Sequence, residues 1–299
     1  VTVLSVQANA KALPVAGGSV DLVVTSTPYF MQVNYMDSGQ VMEGQTGHEA
    51  TPAAFVDSLM VAMCELDRVV KRSGSMFINE GDKYSGYHNG AGKARSIGDP
   101  DRAKPAKMPD GPPRAPSVWG VPNKSLMGLP WRLALRCMDD LGWVLRSEII
   151  WHKKSTPERV RDRAWRRHEQ WFHFTKSDRY YHDPSVRPLV SVIDGPPAST
   201  VHHPAPFGDE WPERFIKRFC PQGGIVLDPF GGSGTTARVA SRMGRVGSRT
   251  PPPQSGCPAP CMGQGRSRHP AIPARVRGCR RASVGPGWGG CRPGSAGRC

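Results

Sequence analysis

The stretch "GGIVLDPFGGSGTTARVASRMGR", Gly223 to Arg245, constrains this chain more than any other. It reads as a short buried strand ending at Asp228, a glycine turn, and a helix closed by Gly244 at the position just past its end. Gly231, Gly232 and Gly234 let the backbone take positive φ and approach a ligand closely. The N–H groups of the turn and of the helix start favour a carboxylate or a phosphate. Asp228, at the strand end, suits a cation or a hydroxyl.

Two common ligands are excluded by what is absent. A triphosphate-binding loop needs a lysine after its last glycine, and Thr235 follows Gly234. The dinucleotide fingerprint is not matched either. A ligand that combines an amino group, a carboxylate and a nucleoside fits: S-adenosylmethionine. A tight strand–helix turn with no ligand is the competing reading.

The rest of the body supports an α/β sheet. Val1–Val6 and Asp21–Thr25 read as strands. Phe55, Leu59, Met63, Leu66 and Val70 recur at helical spacing, with Thr51 as cap and Pro52 as first helical residue. Ser75–Asn79 reads as the next strand, so strand and helix alternate. Residues 84–118, rich in Gly, Pro and charge, read as a flexible insert. A helix ending near Gly142, two strands in "WVLRSEIIWHK" and "HEQWFHFTK", and a helix in "EWPERFIKRFC" lead to the glycine turn.

The net charge of +15 divides unevenly. From Val246 onward there are nine Arg and no Asp, Glu or Lys, which leaves +6 for residues 1–245. That body is compatible with a polyanionic partner. The 246–299 segment has no Leu, Phe or Tyr and reads as a disordered basic Gly/Pro/Arg tail. Its composition also matches a GC-rich gene read in the wrong frame. Cys64, Cys137 and Cys220 read as reduced thiols. The tail pair Cys257 and Cys261 lacks partners for zinc, so no metal site is expected. No run approaches a membrane span and the N-terminus lacks secretory features, so a soluble cytoplasmic protein is expected.

A second motif changes the weight of the first. "DLVVTSTPYF" sets a polar-aromatic turn directly after a buried strand. Together the two motifs resemble the amino-group DNA methyltransferases that act on cytosine N4 or adenine N6. Here the catalytic motif comes first and the cofactor motif last, the β-class order. Further blocks in family order extend the resemblance over nearly all of residues 1–245. The resemblance implies a permuted, Rossmann-like S-adenosylmethionine-dependent methyltransferase fold. It implies double-stranded DNA as partner, no membrane, and room for a cognate restriction enzyme; the oligomeric state stays open.

An exocyclic base amine is a poor nucleophile because its lone pair is delocalised into the ring. The resemblance assigns Ser26 and the Thr27 carbonyl as acceptors of the two amine hydrogens, drawing the nitrogen towards tetrahedral geometry. Pro28 would stiffen the turn and Tyr29 would stack on a base that has left the duplex. The cofactor would be held by Asp228, Phe230, Gly231, Gly232, Ser233 and Gly234, with Phe207 against its methionine part and Asn9 near the adenine. Lys153, Lys154, Arg161, Arg163, Arg166 and Arg167 read as DNA contacts, with a solvated charged face as the alternative. Methylation at cytosine C5 would require a nucleophilic Pro-Cys, and that pair occurs only at Pro260-Cys261.

Two departures stand out. Thr27 replaces the family's first proline, at some cost in rigidity. After Arg245 the family continues with a strand ending in an acidic residue that binds the cofactor ribose, then a helix. Here that last strand and helix read as missing, which would open the sheet between the glycine-loop strand and the strand at Val1–Val6. Ser26 favours cytosine N4 as the target. Adenine N6 is one alternative; a catalytically inactive, truncated or frameshifted DNA-binding remnant is another.

Overall fold

The computed structural model describes residues 3–5, 8–31, 46–85, 120–153, 161–195 and 207–250. The insert beyond Ser85, Lys154 and the segment from 251 to 299 lie outside the described residues. The elements run β1 (Val3–Ser5), β2 (Val20–Ser26), α1 (Pro52–Val69), β3 (Val70–Glu80), α2 (Leu129–Leu141) and β4 (Val144–Lys153), followed by β5 (His168–Thr175), β6 (Val192–Gly195), α3 (Glu210–Phe219), β7 (Ile225–Asp228), α4 (Thr235–Arg242) and β8 (Val246–Arg249). They form one eight-stranded sheet in the order β1-β8-β7-β2-β3-β5-β4-β6. Only β5 runs against its neighbours.

Local chemistry explains the expected elements. Thr51 caps α1, its side chain accepting the Ala54 N–H at 3.1 Å, and Pro52 opens the helix. The apolar stripe of α1 and α2 packs one face of the sheet: Phe55, Leu59, Met63, Leu66 and Leu133 meet Val23, Met76 and Ile78. On the other face, Trp211, Phe215 and Ile216 of α3 and Val239 and Ala240 of α4 cover Leu22, Val24 and Phe77. β2 is therefore buried on both sides, which is why "VDLVV" is nearly continuous apolar sequence. Gly142 and Gly244 follow α2 and α4 with φ of 69° and 76°, the left-handed closures their positions suggest.

The end of the sheet differs from the sequence reading. The strand expected to be missing is present: Val246–Arg249 forms β8, paired in parallel with β7 from Ile225↔Val246 to Asp228↔Arg249 and with β1 from Val3↔Gly247 to Ser5↔Arg249. The sheet thus runs four residues past the boundary set at 245. Hydrophobic patterning missed it because "VGSR" carries no apolar alternation. The strand is held by backbone pairing on both sides and by close approach of α4. A β-carbon at Gly247 would lie 2.8 Å from the Ala237 carbonyl carbon and Cα, so glycine is what lets α4 sit down on β8. Thr250, just beyond, continues the register, its N–H reaching the Asp228 carbonyl at 3.1 Å. The short edge strand β6, parallel to β4, carried no sequence signal either.

Candidate active site

The Ser26 turn and the glycine turn leave adjacent parallel strands at the same edge of the sheet. β2 and β7 pair through Leu22↔Val226 and Val23↔Leu227. Two cross-links lock the turns beyond the ladder. The Thr25 hydroxyl donates to Asp228 Oδ1 at 2.6 Å, and the Thr236 hydroxyl, in the first turn of α4, donates to the Val24 carbonyl at 3.0 Å. The carboxyl edge of neighbouring strands is where open α/β sheets place ligands.

On the glycine side, Asp228 Oδ1 also receives the Phe230 N–H at 3.1 Å. Burial pushes the Asp228 pKa up to about 6, against the pull of the Thr25 and Phe230 bonds. Phe230 packs on the core beneath α1. Gly234 takes φ of 75° directly before α4, and the first N–H groups of that helix have no helical carbonyl to bond. Ser233 is exposed beside Thr235, their hydroxyls 3.0 Å apart.

Arg249, which ends β8, lies along this turn. Its Nη1 donates to the Gly232 carbonyl at 3.1 Å. Added β-carbons at Gly231 and Gly234 would meet the Arg249 side chain at 2.7 Å and 3.0 Å. The strand of the family pattern is therefore present but ends in a cation, while the final helix expected to be missing would fall beyond Thr250, outside the described residues.

On the Ser26 side, Asn79 organises the turn from the end of β3. Its Nδ2 donates to the Gln170 carbonyl at 2.9 Å, which fixes the amide and turns Oδ1 towards the turn. Oδ1 accepts the Ser26 hydroxyl at 3.1 Å. Ser26 spends its proton there, so its oxygen is left as an acceptor. Thr27 compensates for the missing proline. Its N–H and hydroxyl both reach the Asn79 carbonyl, at 3.0 Å and 3.2 Å, and proline could supply neither bond. The expected loss of rigidity is thus offset by two hydrogen bonds.

Pro28 carries the chain to Tyr29, whose ring is buried over Gly81: a β-carbon there would lie 2.9 Å from the ring. The Tyr29 hydroxyl stands 3.0 Å from both Asn79 Oδ1 and Glu169 Oε2, and its one proton serves one or the other. Burial, then Glu169, holds its pKa well above the usual tyrosine value. Asn79, Glu169 and Thr25 escaped the sequence reading. The available signal was "INEGD", a run of polar residues closing an otherwise apolar strand.

The remaining expected residues separate. Phe207 is buried edge-on to Trp171 at 5.3 Å, in the cluster with Trp211. Asn9 lies in an exposed turn after β1, its side chain accepting the Lys11 N–H at 2.9 Å. Arg166 is committed to an ion pair with Asp82 at 3.1 Å and to Gln170 Oε1 at 2.8 Å. Lys153 pairs with Glu169 and lies 4.4 Å from the centre of the Trp151 ring. Arg163 stacks on Tyr84 at 3.5 Å, while Arg161 and Arg167 are exposed. Among the described residues no helix is long and apolar enough to cross a membrane.

Comparison with known proteins agrees with this geometry. Residues 20–247 match the N6/N4 DNA methylase family model. The chain is 37% identical over 241 residues to the type II methyltransferase M.XycI of Xanthomonas campestris pv. cyanopsidis, covering 76% of this chain and 75% of that one. It is 35% identical, with the same coverage, to M.Cfr9I of Citrobacter freundii. Among solved structures, the cytosine-N4-specific PvuII DNA methyltransferase superposes with a TM-score of 0.60 at 18% identity, covering 85% of this chain and 83% of that one. A Thermus thermophilus protein assigned as a DNA modification methylase, complexed with S-adenosyl-L-methionine, gives 0.56 at 24% identity over 85% and 90%. With the Ser26 turn and the glycine turn on one sheet edge and the match spanning both, this chain belongs to the N6/N4 family of DNA methylases.

Proposed function

We propose that this protein transfers a methyl group from S-adenosylmethionine to the exocyclic amine of a base everted from double-stranded DNA, with cytosine N4 as the target. One observation carries the reading: two turns of complementary chemistry, about two hundred residues apart in sequence, are bolted together through Thr25 and Asp228. The catalytic body comprises residues 1–249 in this reading, and the protein works in the cytoplasm.

The residues present fit the methionine end of the cofactor. The open N–H groups of α4 suit its carboxylate, and Asp228, Phe230, Gly231, Gly232, Ser233 and Gly234 form the cradle. When bound, S-adenosylmethionine supplies a methyl group on a positively charged sulfur. Phe207 adds apolar lining, and Asn9 would reach the adenine. At the ribose the fit fails, because Arg249 offers donors where a carboxylate would accept hydroxyl protons.

The chain's own groups then act on the amine. Ser26, held as an acceptor by Asn79, takes one N–H and the Thr27 carbonyl takes the other. The nitrogen lone pair is turned out of conjugation and towards the methyl. Pro28 and the Asn79 bonds keep the turn rigid, and Tyr29 meets the base. Arg161, Arg163 and Arg167 contact phosphates, with Lys153 and Arg166 bracing the strand ends behind them; Lys154 belongs to the same basic run.

Ser26 and the cytosine-N4-specific solved neighbour support cytosine over adenine. Enzymatic digestion of DNA treated with protein and S-adenosylmethionine tests this: N4-methylcytosine is expected, and N6-methyladenine would move the target. Arg249 supports a second reading, a chain that binds DNA and holds the cofactor too weakly to turn over. Calorimetric titration with S-adenosylmethionine separates the two, since no detectable binding would favour the inactive form.

A further inference from the structure

The basic run between β4 and β5 ends in "RDRAWRR", Arg161 to Arg167, four arginines and one aspartate around a tryptophan. The structure pins this segment on both sides of Trp165. Before it, Lys124 pairs with Asp162, and the Arg163 guanidinium lies 3.5 Å from the centre of the Tyr84 ring. After it, Arg166 turns inward to Asp82 at 3.1 Å and to Gln170 Oε1 at 2.8 Å, and the Arg167 carbonyl accepts the Lys153 N–H at 2.8 Å. Trp165 itself stays 47% exposed. An indole is among the largest apolar surfaces a side chain offers, and here its anchors hold the chain in place while nearly half of it remains in water.

The same anchors fix where it stands. Asp82 and Tyr84 follow Gly81, which carries the Tyr29 ring, and the Gln170 carbonyl receives Asn79, which holds Ser26. Glu169, whose carboxylate lies 3.0 Å from the Tyr29 hydroxyl, is four residues beyond Trp165. Four links of chain reach at most roughly 15 Å, on the scale of the ~12 Å major groove. Trp165 and the Ser26 turn therefore share one edge of the sheet. That edge is positive. Asp162, Asp82 and Glu169 are taken up by Lys124, Arg166 and Lys153, while Arg161 and Arg167 stay exposed. An aromatic face set among arginines suits DNA, because the cations take phosphates and the ring takes a base.

We propose that Trp165 enters the duplex at the target and stacks where the everted base has left, filling the gap while that base is held at the Ser26 turn. This rests on the methyl-transfer reading above. Eversion gives up the stacking and pairing of one base. A ring inserted between base steps restores part of the stacking, as apolar side chains do in proteins that kink DNA. Trp165 is a positioning residue in this account. It touches the base stack and not the reacting amine, and it sets how often the base is presented.

The test combines two variants of the full chain with two duplexes. Once the target site is mapped, one duplex carries the natural pair and the other lacks the base opposite the target, which leaves the target unpaired and easier to evert. Trp165→Ala should lower kcat/KM on the intact duplex about ten- to a hundredfold, the worth of one base–aromatic stack. On the abasic duplex the loss should be about threefold or less, because the pairing that opposes eversion is already gone. Trp165→Phe, which keeps a stacking ring, should retain most of the activity on both. A merely structural tryptophan would lower Tm and would slow both duplexes alike. Equal losses on the two duplexes, or full activity of Trp165→Ala on the intact one, would overturn the assignment while leaving the functional reading in place. A parent protein that transfers no methyl to any DNA would overturn that reading first, and this assignment with it.

Discussion

Substituting Gly247 with alanine should unseat β8. The new methyl would stand 2.8 Å from the Ala237 carbonyl carbon and Cα, closer than any ordinary carbon contact, and nearer still to the carbonyl oxygen. The obstacle is backbone in the first turns of α4, so no side-chain rotation relieves it. Either α4 lifts or β8 drops away from β7 and β1, and both moves loosen the glycine turn that joins β7 to α4. Overpacking of this kind costs about 1–3 kcal/mol, and a backbone wall argues for the upper part of that range. For a body of this size the fall in Tm is roughly 2–4 °C per kcal/mol, or about 2–12 °C in all. The control is Gly17→Ala, whose β-carbon would meet only the Arg68 carbonyl oxygen at an ordinary 3.4 Å. Thermal unfolding of the two variants beside the parent decides. If Gly247→Ala melts with the parent, or no lower than Gly17→Ala, then β8 does not lie beneath α4, and the corrected account of the sheet fails.

Three other expectations follow from the site. Arg249→Glu should tighten S-adenosylmethionine about tenfold, because a carboxylate at the end of β8 accepts hydroxyl protons that the guanidinium cannot; calorimetry showing unchanged or weaker binding would contradict it. Tyr29→Phe removes the hydroxyl that stands 3.0 Å from Asn79 and Glu169, so urea unfolding should show a loss of about 1 kcal/mol and activity should fall; an unaltered midpoint would count against the network. His173 is buried against Phe77, and burial followed by Arg146 lowers its pKa to about 3. Above pH 6.5 it is neutral folded or unfolded and adds no pH dependence. As pH falls from 6.5 towards 3 the unfolded chain binds a proton that the fold refuses, so stability drops by up to about 1.4 kcal/mol per pH unit. His173→Gln should flatten that dependence in urea titrations at pH 7, 6 and 5, and an identical slope in the variant would show that His173 is not its source.

The sequence made the two turns legible because each requires residue types that serve little else: glycines beside an aspartate at a strand end, and Ser-Thr-Pro-Tyr after a buried run. It could also show α1, whose apolar spacing, cap and first-turn proline agree. β8 was hidden because backbone pairing and the absence of a side chain at Gly247 hold it, and neither leaves an apolar pattern. The partners of the Ser26 turn were hidden for a different reason. Asn79 and Glu169 lie 53 and 143 residues from Ser26 and meet it only through the ladder of β2, β3 and β5, so no local spacing announces them. The basic run between β4 and β5 was legible as charge, but which cations face solvent was not. Arg166 is drawn inward by Asp82, whereas Arg161 and Arg167 stay exposed.

The account depends on the Ser26 turn and the glycine turn bounding a single crevice that takes the methyl donor. Ultraviolet cross-linking of methyl-labelled S-adenosylmethionine, followed by mapping of the labelled peptide, examines this directly. Label is expected within Ser26–Phe30 or Asp228–Thr235. Label concentrated elsewhere, such as in the pocket lined by Phe77, His173 and Tyr180, with neither turn modified, would contradict it.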